Sequence, residues 1–238
     1  PAGSGKHTAA RSIASALACA SAKDKAKPLP CGTCLACRKI AGGISPDVFF
    51  IRREADRATL GVDAIRKLRE DLYIAPNENE KKVYIIEDAD TMTVQAQNAL
   101  LKTLEEPPAH AMFLLLAERA EAFLPTILSR VVTMKIRPLS EGMVAEYLMQ
   151  TGLSEEESNI LAAYAQGRIG QALELQEDEA FREMRQDIRG RLEALPSMNE
   201  GEAYLMAKEL EVYKNDLRFL DIMELWYRDL LTAKSLRE

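Results

Sequence analysis

Histidine is almost missing from this chain. Only His7 and His110 occur in 238 residues, and neither belongs to a recognisable triad, so hydrolase chemistry of the Ser–His–acid kind is not suggested. Aromatic residues are also scarce, 6% with a single tryptophan, Trp226. None is interleaved with the N-terminal lysines, as a surface that stacks nucleic-acid bases would need. No run is long and apolar enough to span a bilayer. No export signal is read at the start, where an Ala-rich helix follows a Gly-rich loop, so the expected compartment is the cytoplasm, with no membrane partner. There is no internal repeat and no low-complexity tract.

What is present suits a packed core: 47% hydrophobic residues, with 29% charged. The net charge of −6 argues against a nucleic-acid binder as a whole. The charge is uneven. Residues 1–42 carry seven Lys/Arg (Lys6, Arg11, Lys23, Lys25, Lys27, Arg38, Lys39) against one acid, Asp24, a formal +6. A solvated basic face accounts for this more simply than a phosphate or DNA contact, and a zinc-dependent nucleic-acid module is the lesser alternative.

Four short apolar runs read as strands: Asp47–Arg53, Val83–Asp88, Met112–Glu118 and Val131–Ile136. Their near-continuous hydrophobicity fits strands buried on both faces of a parallel sheet. Helices are expected between them at Val62–Leu72 and at Val94–Glu106, the latter stopped by Pro107 and Pro108. Alternating strands and helices predict an α/β fold, a three-layer parallel sheet. After Arg137-Pro138 the pattern is helical only. Ser154-x-x-Glu157 reads as a capping box, and Gly167 ends the helix it opens. Long amphipathic helices follow from Glu177, the last with an apolar stripe at Phe219, Ile222, Met223, Trp226 and Leu230, read as a packed helix face.

The opening stretch, PAGSGKHTAA, has the form of a phosphate-binding loop. Gly3 and Gly5 let the backbone curl, so that N–H groups and a helix N-terminus face phosphate oxygens, and Lys6 would neutralise the outer phosphates. The next position normally offers a hydroxyl to Mg²⁺. Here it is His7, a poor ligand for a cation that prefers oxygen. Thr8 comes one residue late, about 100° round a helix of about 3.6 residues per turn. A chance Gly-rich turn capping a helix is the plainer alternative. A buried strand usually precedes such a loop, and the chain stops within or just after a helix, so both chain ends are expected to be incomplete. The second half of a nucleotide site would be KKVYIIEDAD, a strand ending in acids. The usual order is Asp then Glu; here Glu87 precedes Asp88, which misplaces both carboxylates for metal positioning and water activation. Simple solvation of the strand end is the commoner role for such a pair.

All four cysteines lie in one segment, Cys19 followed by Cys31, Cys34 and Cys37 with the spacing C-x11-C-x2-C-x2-C. Four thiolates so placed can wrap one tetrahedral Zn²⁺, with Gly32 easing the turn. Two disulfides are the alternative, but C-x2-C neighbours bond poorly and the expected compartment is reducing. No open coordination position is evident, so the metal would be structural.

The order of these features, with SPDVFFI, NALLKTLEEPP and LPTILSR between and after them, resembles the bacterial DNA polymerase III clamp-loader family of AAA+ proteins. The most specific stretches are ALLKTLEEPP (Ala99–Pro108) and TILSR (Thr126–Arg130). The resemblance implies an AAA+ domain over 1–137 with the zinc module at 19–37, a three-helix lid over 138–176, and a partial helical collar over 177–238. The family includes an ATPase branch, gamma/tau, and a non-motor branch, delta prime. ATPase-type features depart together here: the hydroxyl is His7, the acid pair is Glu87-Asp88, the sensor threonine is replaced by Ala117-Glu118, and the lid arginine by Gly170, with Arg168 two residues early. Ser129 and Arg130 are intact. In the family this arginine reaches into a neighbour's ATP site. The chain is thus similar to the delta prime branch. The implied partners are gamma/tau and delta subunits, the sliding clamp and primer–template DNA. Gly3, Gly5, Lys6, Thr8, Glu87 and Asp88 would form a degenerate nucleotide site with weak or absent ATPase. An active gamma/tau-type ATPase using Thr8 is the alternative.

Overall fold

The structure is a computed structural model and describes residues 3–23 and 28–235. It divides into two compact units, one over Gly5–Ile136 and the other over the helical part from Arg137 onward together with the loop residues Gly3 and Ser4.

In the first unit α1 (Lys6–Ala18) and α2 (Leu35–Ala41) precede β1 (Val48–Ile51). Then come α3 (Val62–Leu72), β2 (Lys82–Ile86), α4 (Val94–Glu105), β3 (Ala111–Leu115) and the short α5 (Pro125–Leu128). The strands form a parallel sheet in the order β1-β2-β3, with Val48 beside Val83 and Val83 beside Met112. Each neighbour in that order is reached through a helix, as parallel pairing requires. Every residue of the central β2 is buried, because helices cover both faces. Val83 and Ile85 pack with Ala10 and Ala14 of α1 and Ile40 of α2. Tyr84 and Ile86 point the other way, onto Ile65 and Leu68 of α3 and Leu100 of α4. Period-two alternation thus feeds two cores from one strand. Each fully buried aliphatic side chain contributes about 1.5–3 kcal/mol.

The α3 helix spans the residues the apolar spacing predicts. Helix α4 starts where the Thr93 hydroxyl accepts the Ala96 N–H at 3.2 Å and ends just before the two prolines. The fourth expected strand is a correction. Val131–Ile136 pairs with no strand among the described residues, and Val132 and Met134 are 96% and 74% exposed. A strand exists only through its neighbour's N–H and C=O groups, and no partner flanks this stretch. The other three strands are shorter than expected, and β2 and β3 each begin one residue earlier, at Lys82 and Ala111.

Lys82, at the start of β2, is 1% exposed. Its ammonium meets Asp71 Oδ2 at 3.0 Å, and the Tyr84 hydroxyl donates to the same oxygen at 2.9 Å. Just before β1, the fully buried Asp47 accepts the backbone N–H groups of Asn77, Glu78 and Asn79 at 2.6, 2.8 and 2.8 Å, fastening that loop to the sheet. Burial alone would push this carboxyl up, but the three N–H donors outweigh it and hold it below the ordinary aspartate value.

In the second unit α6 (Glu141–Gln150), α7 (Glu155–Ala165) and α8 (Ile169–Glu177) are followed by α9 (Glu179–Ala194), α10 (Glu200–Glu209) and α11 (Arg218–Ser235). One core joins them, including Leu148, Leu161, Ala172, Phe181, Ile188 and Ile222. Phe219, Met223 and Trp226 pack against it, as the stripe predicts, whereas Leu230 is 50% exposed. The expected capping box at α7 is half formed. The Ser154 hydroxyl accepts the Glu157 N–H, but the Glu157 carboxylate takes that hydroxyl's proton bond instead of reaching the Ser154 backbone. The complete box is at α10, between Asn199 and Glu202. Helix α7 ends one residue earlier than expected, with Gln166 as its left-handed cap (φ +49°); Gly167 (φ +81°) follows against Leu139, where a Cβ would lie 2.3 Å from the carbonyl oxygen.

Two outcomes follow from the charged groups of the first unit. Asp71→Ala strands a buried ammonium and is expected to cost about 3 kcal/mol in urea unfolding, while Lys82→Met should cost less than half as much; the reverse order would contradict the pairing. The Asp47 contribution is fully present above the unfolded aspartate pKa of about 3.9 and is lost as pH falls through the lower folded value. Asp47→Asn should therefore lower stability at pH 7 and make the acid-induced loss shallower, as read from unfolding midpoints between pH 7 and pH 3.

Candidate functional site

The loop that opens the chain turns through left-handed backbone at Gly3 (φ +72°) and Gly5 (φ +83°), conformations that favour glycine. Gly5 caps α1 without a side-chain hydrogen bond, and the first turn of α1 holds no acid. The helix N-terminus therefore carries its partial positive charge with no acid of its own to answer it. Lys6 is 8% exposed. Its ammonium is bound to Glu118 Oε1 at 3.0 Å, just beyond the end of β3. The Lys6 hydrogen bond is the chief reason the Glu118 carboxyl lies below the ordinary glutamate value. His7 is half exposed, with Nδ1 3.5 Å from Glu87. Thr8 is exposed.

The acid pair at the end of β2 is also engaged. Arg52 forks onto Glu87, with Nε 2.6 Å from Oε2 and Nη2 donating to Oε1 at 2.9 Å. This two-point match is the strong form of an arginine–carboxylate contact. Asp88 takes left-handed backbone at φ +47°, with Arg53 Nε 3.7 Å from its carboxylate. A metal ion at these carboxylates would have to displace a guanidinium first. The structure thus gathers Lys6, His7, Glu87, Asp88 and Glu118 around the C-terminal ends of β2 and β3, the usual ligand-binding edge of a parallel sheet.

Ser129 and Arg130 follow α5 at the surface of the same unit. Gln97 on α4 is 3% exposed; its amide donates to the carbonyls of Met92 and Ala122, and its oxygen accepts the Leu124 N–H at 2.8 Å. That bond anchors the residue before Pro125 and so fixes the start of α5. Ser129 Oγ donates to the Thr126 carbonyl at 3.0 Å. Arg130 Nη1 donates to that carbonyl and to Ser129 Oγ, and Nη2 lies 2.8 Å from Glu105 Oε1 at the end of α4. Its side chain is 35% exposed. An ion pair this open contributes about 0–1 kcal/mol, so the guanidinium is held in place yet free to exchange partners.

The cysteines come together. Cys19 caps the end of α1, Cys34 opens α2 and Cys37 lies within it. All four Sγ atoms lie within 4.8 Å of one another. All four thiols are free, so neither disulfide forms. Sulfurs around one Zn²⁺ at about 2.3 Å would sit roughly 3.8 Å apart, so a small closure suffices and the donor set fits the metal. N–H groups of Cys34 and Thr33 draw the Cys31 thiol down to about 5, while burial pushes Cys37 up to about 12. Gly32, at φ +71°, makes the turn between ligands.

Four contributors escaped the sequence reading: Glu105, Arg52 and Gln97, and Glu118 as a partner of Lys6. Apart from the Gln97 bond to Met92, five residues back, their partners lie 25 to 112 residues away along the chain, beyond the reach of a local pattern.

A family model described as DNA polymerase III, delta subunit, matches residues 1–140. The chain is 30% identical over 210 residues to the delta' subunit of DNA polymerase III from Bacillus subtilis (strain 168), covering 86% of this chain and 63% of that protein. It is 34% identical over 215 residues to the gamma subunit from Buchnera aphidicola subsp. Schizaphis graminum, covering 87% and 58%. Against the delta' subunit of Escherichia coli (strain K12) it is 36% identical over 147 residues, covering 61% and 44%. The chain therefore spans between 44% and 63% of the length of these relatives. With a match over residues 1–140 and a parallel sheet of AAA+ type, this chain belongs to the DNA polymerase III clamp-loader family.

Proposed function

We propose that this chain is a delta prime-type subunit that lends Arg130 to ATP held by a neighbouring gamma/tau-type subunit and does not hydrolyse ATP itself. The observation that supports this most is the internal pairing of both halves of its own nucleotide site, Lys6 with Glu118 and Glu87 with Arg52, beside a part-exposed Arg130. A guanidinium supplied in trans places fixed positive charge and forked donors where a transferring phosphoryl group gathers negative charge. Ser129 and the Thr126 carbonyl would orient it, and Gln97 would fix the turn they stand on. Residues 1–137 would serve as the AAA+ domain, 138–176 as a lid and 177–238 as part of a collar. Such a subunit would work in the cytoplasm, in a ring with gamma/tau and delta, loading the sliding clamp onto primer–template DNA. The 34% identity to a gamma subunit favours a second reading, an active ATPase, which would require Glu118 and Arg52 to swing away from Lys6 and Glu87.

The cysteine cluster would hold a structural Zn²⁺ through Cys19, Cys31, Cys34 and Cys37. When bound, the metal would cross-link the end of α1 to α2; it leaves no position for a substrate.

In a reconstituted complex, Arg130→Ala should lower turnover at the adjoining ATP site by about 10³-fold or more and leave this chain's melting temperature unchanged; unaltered turnover would remove the role. Arg130→Lys should not restore it, because a lysine lacks the fork. Elemental analysis should find one zinc per chain. Its removal by a chelator should lower the melting temperature and expose residues 19–37 to protease, whereas a metal-free preparation of equal stability would contradict the assignment.

A further inference from the structure

A nine-tenths buried ammonium needs an anion beside it, or its charged state is penalised by the loss of water. In a phosphate-binding loop that anion is the ligand. Here it is a carboxylate of the same chain, carried in from 112 residues away. We propose that Glu118 is the residue that sets the anion affinity of this loop: it acts as an internal counter-ion for Lys6, and its removal turns the loop into a binding site for a nucleoside diphosphate. The proposal deepens the reading that this chain does not hydrolyse ATP and rests on it.

Several contacts support it. Glu118 is the first acid after β3 and meets Lys6 at hydrogen-bond distance, 3.0 Å, while remaining 44% exposed, so it occupies the ammonium from the solvent side. The remaining charged groups nearby are already satisfied. Asp90, 6% exposed, pairs with Arg119 at 3.5 Å, and Glu87 is held by Arg52 and lies 3.5 Å from His7. Glu118 is therefore the carboxylate on Lys6 itself. An entering phosphate would either evict it or stand beside it, and juxtaposed like charges cost several kcal/mol. The backbone that would cradle phosphate is in place, with left-handed Gly3 and Gly5 and an α1 N-terminus without an acid of its own. His7 stands where a metal-binding hydroxyl would be, so recovered binding should not depend on Mg²⁺.

The test uses the full chain and a fluorescent ADP, followed by anisotropy with and without Mg²⁺. Glu118→Gln and Glu118→Ala should each bind at least about tenfold more tightly than the unaltered chain, equally well with or without the metal. The gain should vanish when Lys6→Met is added. Equal affinity of all three proteins would overturn the proposal, as would a gain that survives Lys6→Met. Two variants of a part-exposed residue guard against one that fails to fold. Hydrolysis of ATP by the unaltered chain would sink the non-hydrolytic reading instead, a result separable from the affinity series.

Discussion

The constraint on which the functional edge of this protein depends is the burial of Lys6. An ammonium taken out of water between α1 and the sheet cannot be left alone. Glu118 meets it, and that pair settles the character of the whole edge. A few residues away Glu87 has its own guanidinium in Arg52. The charges a nucleotide and its metal would address are spent on one another, within a framework of glycines and helix N-terminus that still has the shape for phosphate.

The same sheet puts Arg130 in a different condition. Its partners, Glu105, Ser129 Oγ and the Thr126 carbonyl, are surface groups that water can replace. Rigidity comes from one step back, where buried Gln97 pins the start of α5 through two hydrogen bonds, to Ala122 and Leu124. On the reading proposed here, this charged group on a fixed turn, loosely paired at its tip, would act on something outside its own chain. The charges at the strand ends are paired within the chain, whereas Arg130 stays part-exposed. The cysteine module stands apart from both, at the junction of α1 and α2.

Much of the first unit was legible in the sequence, and the reasons are local. Val83–Ile86 reads as a buried strand because both faces of β2 are covered, so its apolar run is unbroken. Val62–Leu72 and Val94–Glu106 read as helices from apolar spacing and from the prolines that stop the second. The cysteine cluster was legible because two C-x2-C spacings keep three of the thiols within one short segment. Val131–Ile136 was misread for the complementary reason: hydrophobicity signals a strand, but pairing decides one, and pairing is non-local. The half-formed box at Ser154 shows the same limit on a smaller scale, since the motif fixes which groups are near but not which of them bond. The position of Glu118 could be read as a departure from the ATPase pattern, but its role as the partner of Lys6 could not. Glu87 likewise announced itself as a strand-end acid without announcing Arg52.

The central claim is that this chain contributes to a nucleotide it does not hold. The most direct measurement counts nucleotides at equilibrium on a gamma/tau-type subunit alone and after this chain is added, alongside the turnover rate of each mixture. The number of bound nucleotides per gamma/tau-type subunit should stay constant while turnover rises. One additional nucleotide bound for each copy of this chain, with hydrolysis assignable to it, would contradict the account.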